Sequence, residues 1–132
     1  MSHIKDSHLQ YLFKRYNHVG FDGRLPRISL LRFAKLDEGL LGCYYKRRPL
    51  VRVGLPGPCI FINERLRSAY AWTCYTLLHE MLHHYGLDHG RQFEERFLCT
   101  AKKVLTVTPE LAAIPEVRDF VALGATSQMR LT

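Results

Sequence analysis

Along residues 4–18, apolar side chains return at Ile4, Tyr11, Leu12 and Tyr16, with Leu9 and Phe13 beside them and charged residues between. That spacing fits one face of an amphipathic helix, and Gly20 offers a stop just beyond it. A turn-forming stretch, GFDGRLP, follows. Over residues 27–63 the pattern shortens to extended runs: RISLLRFA, LLGCYYKR, PLVRVG and PCIFIN. These are rich in β-branched and aromatic residues and bounded by Gly and Pro, which predicts three or four strands of a small sheet. Residues 69–85, AYAWTCYTLLHEMLHHY, are apolar on nearly every face, so a buried helix is expected there. Ser68 stands at its N-cap position and Gly86 where a left-handed C-cap would end it. A further helix, Arg91–Val104, gathers Phe93, Phe97, Ala101 and Val104 on one face, and Pro109 bars its continuation. The tail predicts a short helix over residues 116–123 that then frays. The expected class is α+β: an N-terminal helix, a small sheet, a buried helix and the helix after it.

At 132 residues, 47% hydrophobic and 23% charged, the chain has the composition of one folded domain spanning residues 1–132. No run approaches 18 apolar residues, so no membrane partner is expected. The N-terminus mixes charge with apolar residues and has no secretory core, which predicts a cytoplasmic protein. Cys43, Cys59, Cys74 and Cys99 form no C-x-x-C pair and read as reduced, buried thiols. The net charge of +7 lies wholly in residues 1–60, where eleven Lys and Arg face four Asp and Glu. Residues 61–132 hold eight of each. A basic half beside a neutral half suggests an anionic partner, nucleic acid first.

Chemistry concentrates in the buried helix, at His79-Glu80-Met81-Leu82-His83. Residues i and i+4 of a helix project from one face about 6 Å apart along the axis, so both imidazoles can reach one ion. Glu80 is offset by about 100° from His79 and about 60° from His83. That places a carboxylate beside the metal without making it a ligand, as suits a general base acting on water there. A catalytic zinc takes three protein ligands and keeps one open position. His89 is the candidate third ligand, with Gly86 allowing the chain to turn back, and the run H-E-x-x-H-x-x-G-x-x-H has metzincin spacing. The expected site is one zinc ion on His79, His83 and His89, with Glu80 catalytic. His84 points about 100° away from His83 and is expected to pack. His3, His8 and His18 are expected in solvent. Asp88 either orients an imidazole or caps a turn.

The sequence resembles the SprT-like family of zinc metallopeptidases, the Spartan-type protease domain, in a minimal form without a zinc ribbon. Four stretches carry the likeness, over residues 9–105. Tyr16-Asn17 with Phe21-Asp22-Gly23-Arg24-Leu25-Pro26 is similar to the family's "YN…F…G…LP" segment. Leu41-Gly42-Cys43-Tyr44 resembles its "GxCxY" strand, and Ile60-Phe61-Ile62-Asn63 with Leu66 its "IxINxxL" stretch. Residues 77–83 and His89-Gly90-Arg91-Gln92-Phe93 resemble "LLHEMIH" and "HGxxF". The resemblance implies a zincin-like peptidase core, zinc on the three histidines, Glu80 as base, and a protein or peptide substrate, DNA-associated proteins among them. Residues 106–132 form a C-terminal extension beyond it.

Two other classes share part of the pattern. His83-His84-Tyr85-Gly86-Leu87-Asp88-His89 resembles the zinc-dependent endoribonucleases of bacterial rRNA maturation, which carry Gly at the position of Glu80. A non-catalytic, zinc-stabilised nucleic-acid-binding module is the third reading, and it has no use for Glu80. Lys46, Arg47, Arg48 and Arg52 put four cations next to Tyr44 and Tyr45, a pattern suited to single-stranded DNA, where phosphates are neutralised and bases stack. A monomer is the default, and DNA binding would place the protein on the nucleoid. Tyr44, Tyr45 and Tyr85 are candidate oxyanion partners, and the strand at residues 60–63 is a candidate edge for an extended substrate.

Overall fold

The computed structural model describes residues 4–46 and 57–131, with side chains through Leu123. Its elements are α1 (Asp6–Phe21), β1 (Leu30–Ala34), β2 (Gly42–Tyr45), β3 (Cys59–Asn63), α2 (Tyr70–His84), α3 (Arg91–Val104) and α4 (Pro115–Leu131). Short 3-10 turns at Glu64–Ser68 and Pro109–Ala113 precede α2 and α4. The chain is α+β, as the hydrophobic pattern predicts. The expected strand at residues 49–54 lies outside the described residues.

The sheet order is β1-β3-β2, with β1 parallel and β2 antiparallel to β3. β3 is therefore central and hydrogen-bonded on both sides, which rules out residues 60–63 as an edge for substrate. β2 is the edge strand that faces the site. Central placement explains β3's nearly continuous burial, in contrast to the alternation along β1.

One core joins all layers. Leu9, Leu12 and Tyr16 of α1 meet Leu31 and Phe33 of β1, Ile60 and Ile62 of β3, and Leu77, Leu78, Met81 and Leu82 of α2. Helix α1 runs three residues past the expected end. Gly20 is not its stop but its contact with α3, because a Cβ there would lie 2.8 Å from Thr100 Cγ2 and 3.1 Å from Val104 Cγ1. The turn comes instead from Asp22 (φ 54°) and Gly23 (φ 72°), which adopt left-handed backbone. Tyr11, expected on the apolar face of this helix, is 54% exposed.

Ser68 does not cap α2, because the 3-10 turn runs directly into the helix and Ala69 takes the N-cap position without a side-chain bond. Helix α4 starts at Pro115 and continues to Leu131 rather than fraying after residue 123. No disulfide forms among the described residues. Cys59 and Cys74 are buried as expected, while Cys43 is half-buried and Cys99 is exposed. Among the described residues no helix is long and apolar enough to cross a membrane.

Candidate metal centre

Beyond its first two residues, helix α2 is buried except along Trp72, Tyr75, His79 and His83, which repeat at helical spacing and form an accessible stripe. The two histidines of the motif thus face outward from an otherwise apolar helix. The chain returns to them through a C-terminal cap. Gly86 N–H donates to His83 O (3.0 Å) and Leu87 N–H to Leu82 O (3.2 Å), the bond pair of a Schellman motif. Gly86 has φ 104°, a backbone region that excludes side chains, so a glycine is required at this turn. Gly90 (φ 147°) makes the second bend, from His89 into α3.

These bends bring His89 back onto the pair. His89 Nε2 lies 3.0 Å from His79 Nε2 and 3.0 Å from His83 Nε2. All three ligand atoms fall within 4.8 Å of one another. Imidazole nitrogens held about 2.0–2.1 Å from one tetrahedral ion stand roughly 3.3 Å apart, so the cluster has the compactness a metal demands. The ring of His83 is also oriented for it. Its Nδ1 lies 3.0 Å from the carbonyl oxygen of Leu87, which only accepts, so Nδ1 carries the proton and Nε2 presents a lone pair. Three nitrogens this close repel unless a proton or a cation lies between them. Burial, then the neighbouring His83 and His89 rings, bring His79 down to about 4, so the proton is poorly held and a metal ion fits. The triad can hold a metal ion.

Glu80 is buried at 6% exposure, and burial alone pushes its carboxyl up to about 7. It shares a cleft of about 600 Å³ with His83, Tyr44, Lys46 and Asp88. Strand β2 crosses directly over this part of α2. A Cβ on Gly42 would lie 2.6 Å from Thr76 Cγ2, 3.0 Å from Phe61 O and 3.4 Å from Glu80 Cγ. The glycine of the "GxCxY" stretch is thus the gap that admits the edge strand beside Glu80.

Of the three candidate tyrosines, only Tyr44 lines this cleft. Its hydroxyl lies 3.1 Å from His84 Nδ1, and His84 Nε2 donates to Pro26 O at 2.8 Å. Because that carbonyl fixes the proton on Nε2, Nδ1 accepts from Tyr44, and burial lowers the pKa of His84, favouring this neutral form. His84 is therefore packed, as expected, but as a tie between β2 and the LP turn. Tyr45 packs on Phe61 (6.1 Å) and Tyr85 on Phe21 (5.6 Å), away from the cleft. Asp88 is exposed, and the partner that orients His83 is Leu87 O. A backbone carbonyl has no signature in sequence.

His18 is exposed, whereas His8 is half-buried with Nε2 2.6 Å from the Tyr70 hydroxyl, contrary to its expected solvation. His3 lies outside the described residues. So do Arg47, Arg48 and Arg52, while Lys46 is exposed at the end of β2. No family model, curated protein or solved structure matches the chain.

Proposed function

We propose that the chain is a zinc-dependent endopeptidase with a zincin-like core, of the SprT-like kind its motifs resemble. The observation that carries this reading is the convergence of three imidazole Nε2 atoms next to a buried carboxyl that is not itself a ligand. His79, His83 and His89 would hold the ion. Zinc so bound supplies Lewis acidity and lowers the pKa of water at its open position. The chain's residues do the rest. Glu80, with its carboxyl raised to about 7, takes a proton near neutrality and returns it to the leaving amine. An extended peptide would lie along β2, whose outer side pairs with no strand among the described residues. Tyr44, its own proton committed to His84, turns oxygen lone pairs to the cleft and would accept an N–H from that peptide.

Glu80 weighs against both other readings, since a structural zinc site has no role for a buried base and the endoribonuclease pattern replaces it with Gly. Lys46 in the same cleft supports DNA as a second ligand near the site, and DNA-associated proteins as substrates. The deciding experiment compares the zinc-loaded protein with Glu80→Gln on a DNA-bound protein substrate, with and without single-stranded DNA. The variant keeps its zinc and loses cleavage. Undiminished cleavage by Glu80→Gln, or RNA cleavage without proteolysis, overturns the proposal.

A further inference from the structure

A second cleft, of about 670 Å³, shares no lining residue with the cleft that holds Glu80 and is bordered by His79 and His89 themselves. Its inner wall is aromatic. Phe93 packs on His79 at 4.8 Å between ring centroids, and Phe97 packs on Tyr75 at 4.8 Å. These rings seat the metal ligands and line the cleft at once. Its outer wall is one face of α4, where Glu116, Asp119, Phe120 and Leu123 recur at helical spacing. Leu123 is 66% exposed there, an apolar side chain at a mouth that ligand would cover.

The wall's charge has one sign. Glu94 of α3 joins Glu116 and Asp119, and among the described residues no Lys or Arg lines the cleft, although the chain carries a net charge of +7. Glu116 is held in place by the Tyr75 hydroxyl, which donates to its Oε2 at 3.1 Å. Asp119 accepts from Arg118 Nε at 3.3 Å in an exposed pair that water and salt weaken. An aromatic trough ending in carboxylates suits a long apolar stem tipped with a cation. The stem covers Phe93, Phe97 and Phe120, and the charged tip reaches Glu116 and Asp119. A glutamate would be repelled here, and a neutral aliphatic chain would leave the carboxylates unanswered.

We propose that this cleft is a subsite for a lysine or arginine side chain of the substrate next to the scissile bond. The proposal rests on the peptidase reading for its meaning in catalysis, but the binding it predicts is measurable without turnover. The probes are short labelled peptides, identical except for one central residue: lysine, arginine, norleucine, phenylalanine or glutamate. They are titrated into the zinc-loaded Glu80→Gln protein by anisotropy, with the fluorescence of Trp72, which packs on Tyr75 at 5.2 Å, as a second readout.

Lysine and arginine peptides are expected to bind about tenfold tighter than norleucine, as two or three exposed carboxylates together provide. The double variant Glu116→Gln/Asp119→Asn, both positions being exposed, brings that ratio close to one. Norleucine or phenylalanine binding as tightly as lysine overturns the subsite, as does a ratio that survives the double variant. The wild-type protein is then assayed for cleavage of the same peptides. Tight lysine binding with no cleavage removes the peptidase reading and leaves the subsite. Cleavage indifferent to the central residue does the reverse.

Discussion

His83 Nδ1 donates to the carbonyl oxygen of Leu87 across 3.0 Å, and this bond sets which nitrogen of the ring faces the other two histidines of the candidate metal centre. It exists because Gly86 turns the chain at φ 104° and lets Leu87 fold back over the end of α2. Gly86→Ala places a Cβ in a backbone region that L residues avoid, at a cost of about 1–3 kcal/mol. The larger consequence falls on the site, since loss of such an orienting partner lowers metal affinity by about ten- to a hundredfold. Competition with a chromophoric chelator measures this directly, and an unchanged zinc affinity in Gly86→Ala would show that the turn does not organise the site.

His89 is the candidate third ligand, which the return of the chain supplies, with its Nε2 3.0 Å from both partners. His89→Ala leaves two ligands on α2, too few for a stable tetrahedral site. Metal analysis after dialysis is expected to show substoichiometric zinc. A full equivalent retained by the variant removes His89 from the centre.

Glu80 ties stability to pH in the metal-free protein. Its carboxyl rises from 4.5 to about 7 because burial penalises the charged form. The folded state therefore holds this proton more tightly than the unfolded chain. Glu80's contribution is fully present below pH 4.5 and is lost as pH rises through 7, a change of roughly 3 kcal/mol. Glu80→Gln has no proton to lose. Urea unfolding in excess chelator is expected to show the variant gaining on the wild type between pH 4.5 and 8, and equal pH profiles would contradict the burial penalty on the Glu80 carboxylate.

Gly42 tests how β2 sits on the site. The Cβ of Gly42→Ala meets Thr76 Cγ2 at 2.6 Å, so strand or helix must shift, at about 1–3 kcal/mol. The shift acts on Glu80, whose Cγ lies 3.4 Å from the new atom, so the proposed peptidase activity is expected to fall further than stability. Thr76→Ser removes the obstructing methyl, and combined with Gly42→Ala it restores part of the lost thermal stability. No gain from the second substitution would place the strain elsewhere.

The parts of this molecule legible in sequence are those fixed within a few turns of chain. The i, i+4 spacing of His79 and His83, the offset of Glu80 and the bend at Gly86 are local, and the structure places each where the pattern predicts. The parts that escaped depend on neighbours far away in the chain. Gly20 looks like a helix stop until α3 packs against it, and residues 60–63 look like any strand until β1 and β2 claim both edges. His8 looks solvated until Tyr70 arrives from 62 residues away. The acidic cleft joins α3 to α4 and shows no motif in either.

Asn63 is a further case in which one side chain holds distant backbone together. It ends β3 at 3% exposure, and its Nδ2 lies 2.8 Å from Leu40 O, 3.3 Å from Asp37 O and 3.4 Å from Leu36 O. Its Oδ1 accepts from Arg65 N–H at 3.3 Å. The amide thus clamps the loop of residues 35–41 that delivers Gly42 to its place beside Glu80. Asn63→Asp is nearly isosteric but turns a donor into a carboxylate facing three carbonyl oxygens. A loss of about 3–5 kcal/mol is expected at neutral pH, more than the about 1–3 kcal/mol of Asn63→Ala, which only leaves the carbonyls unanswered. The sign with pH follows. Burial and the carbonyl dipoles raise the new carboxyl above its unfolded value, so Asn63→Asp recovers stability as pH falls, when the protonated acid again donates to the loop. Because the loop leads into β2, both variants are expected to lower the proposed activity as well as stability. Denaturation midpoints of the two at acidic and neutral pH decide it: an Asp variant no worse than Ala, or one without recovery in acid, would mean that Asn63 fills space and clamps nothing.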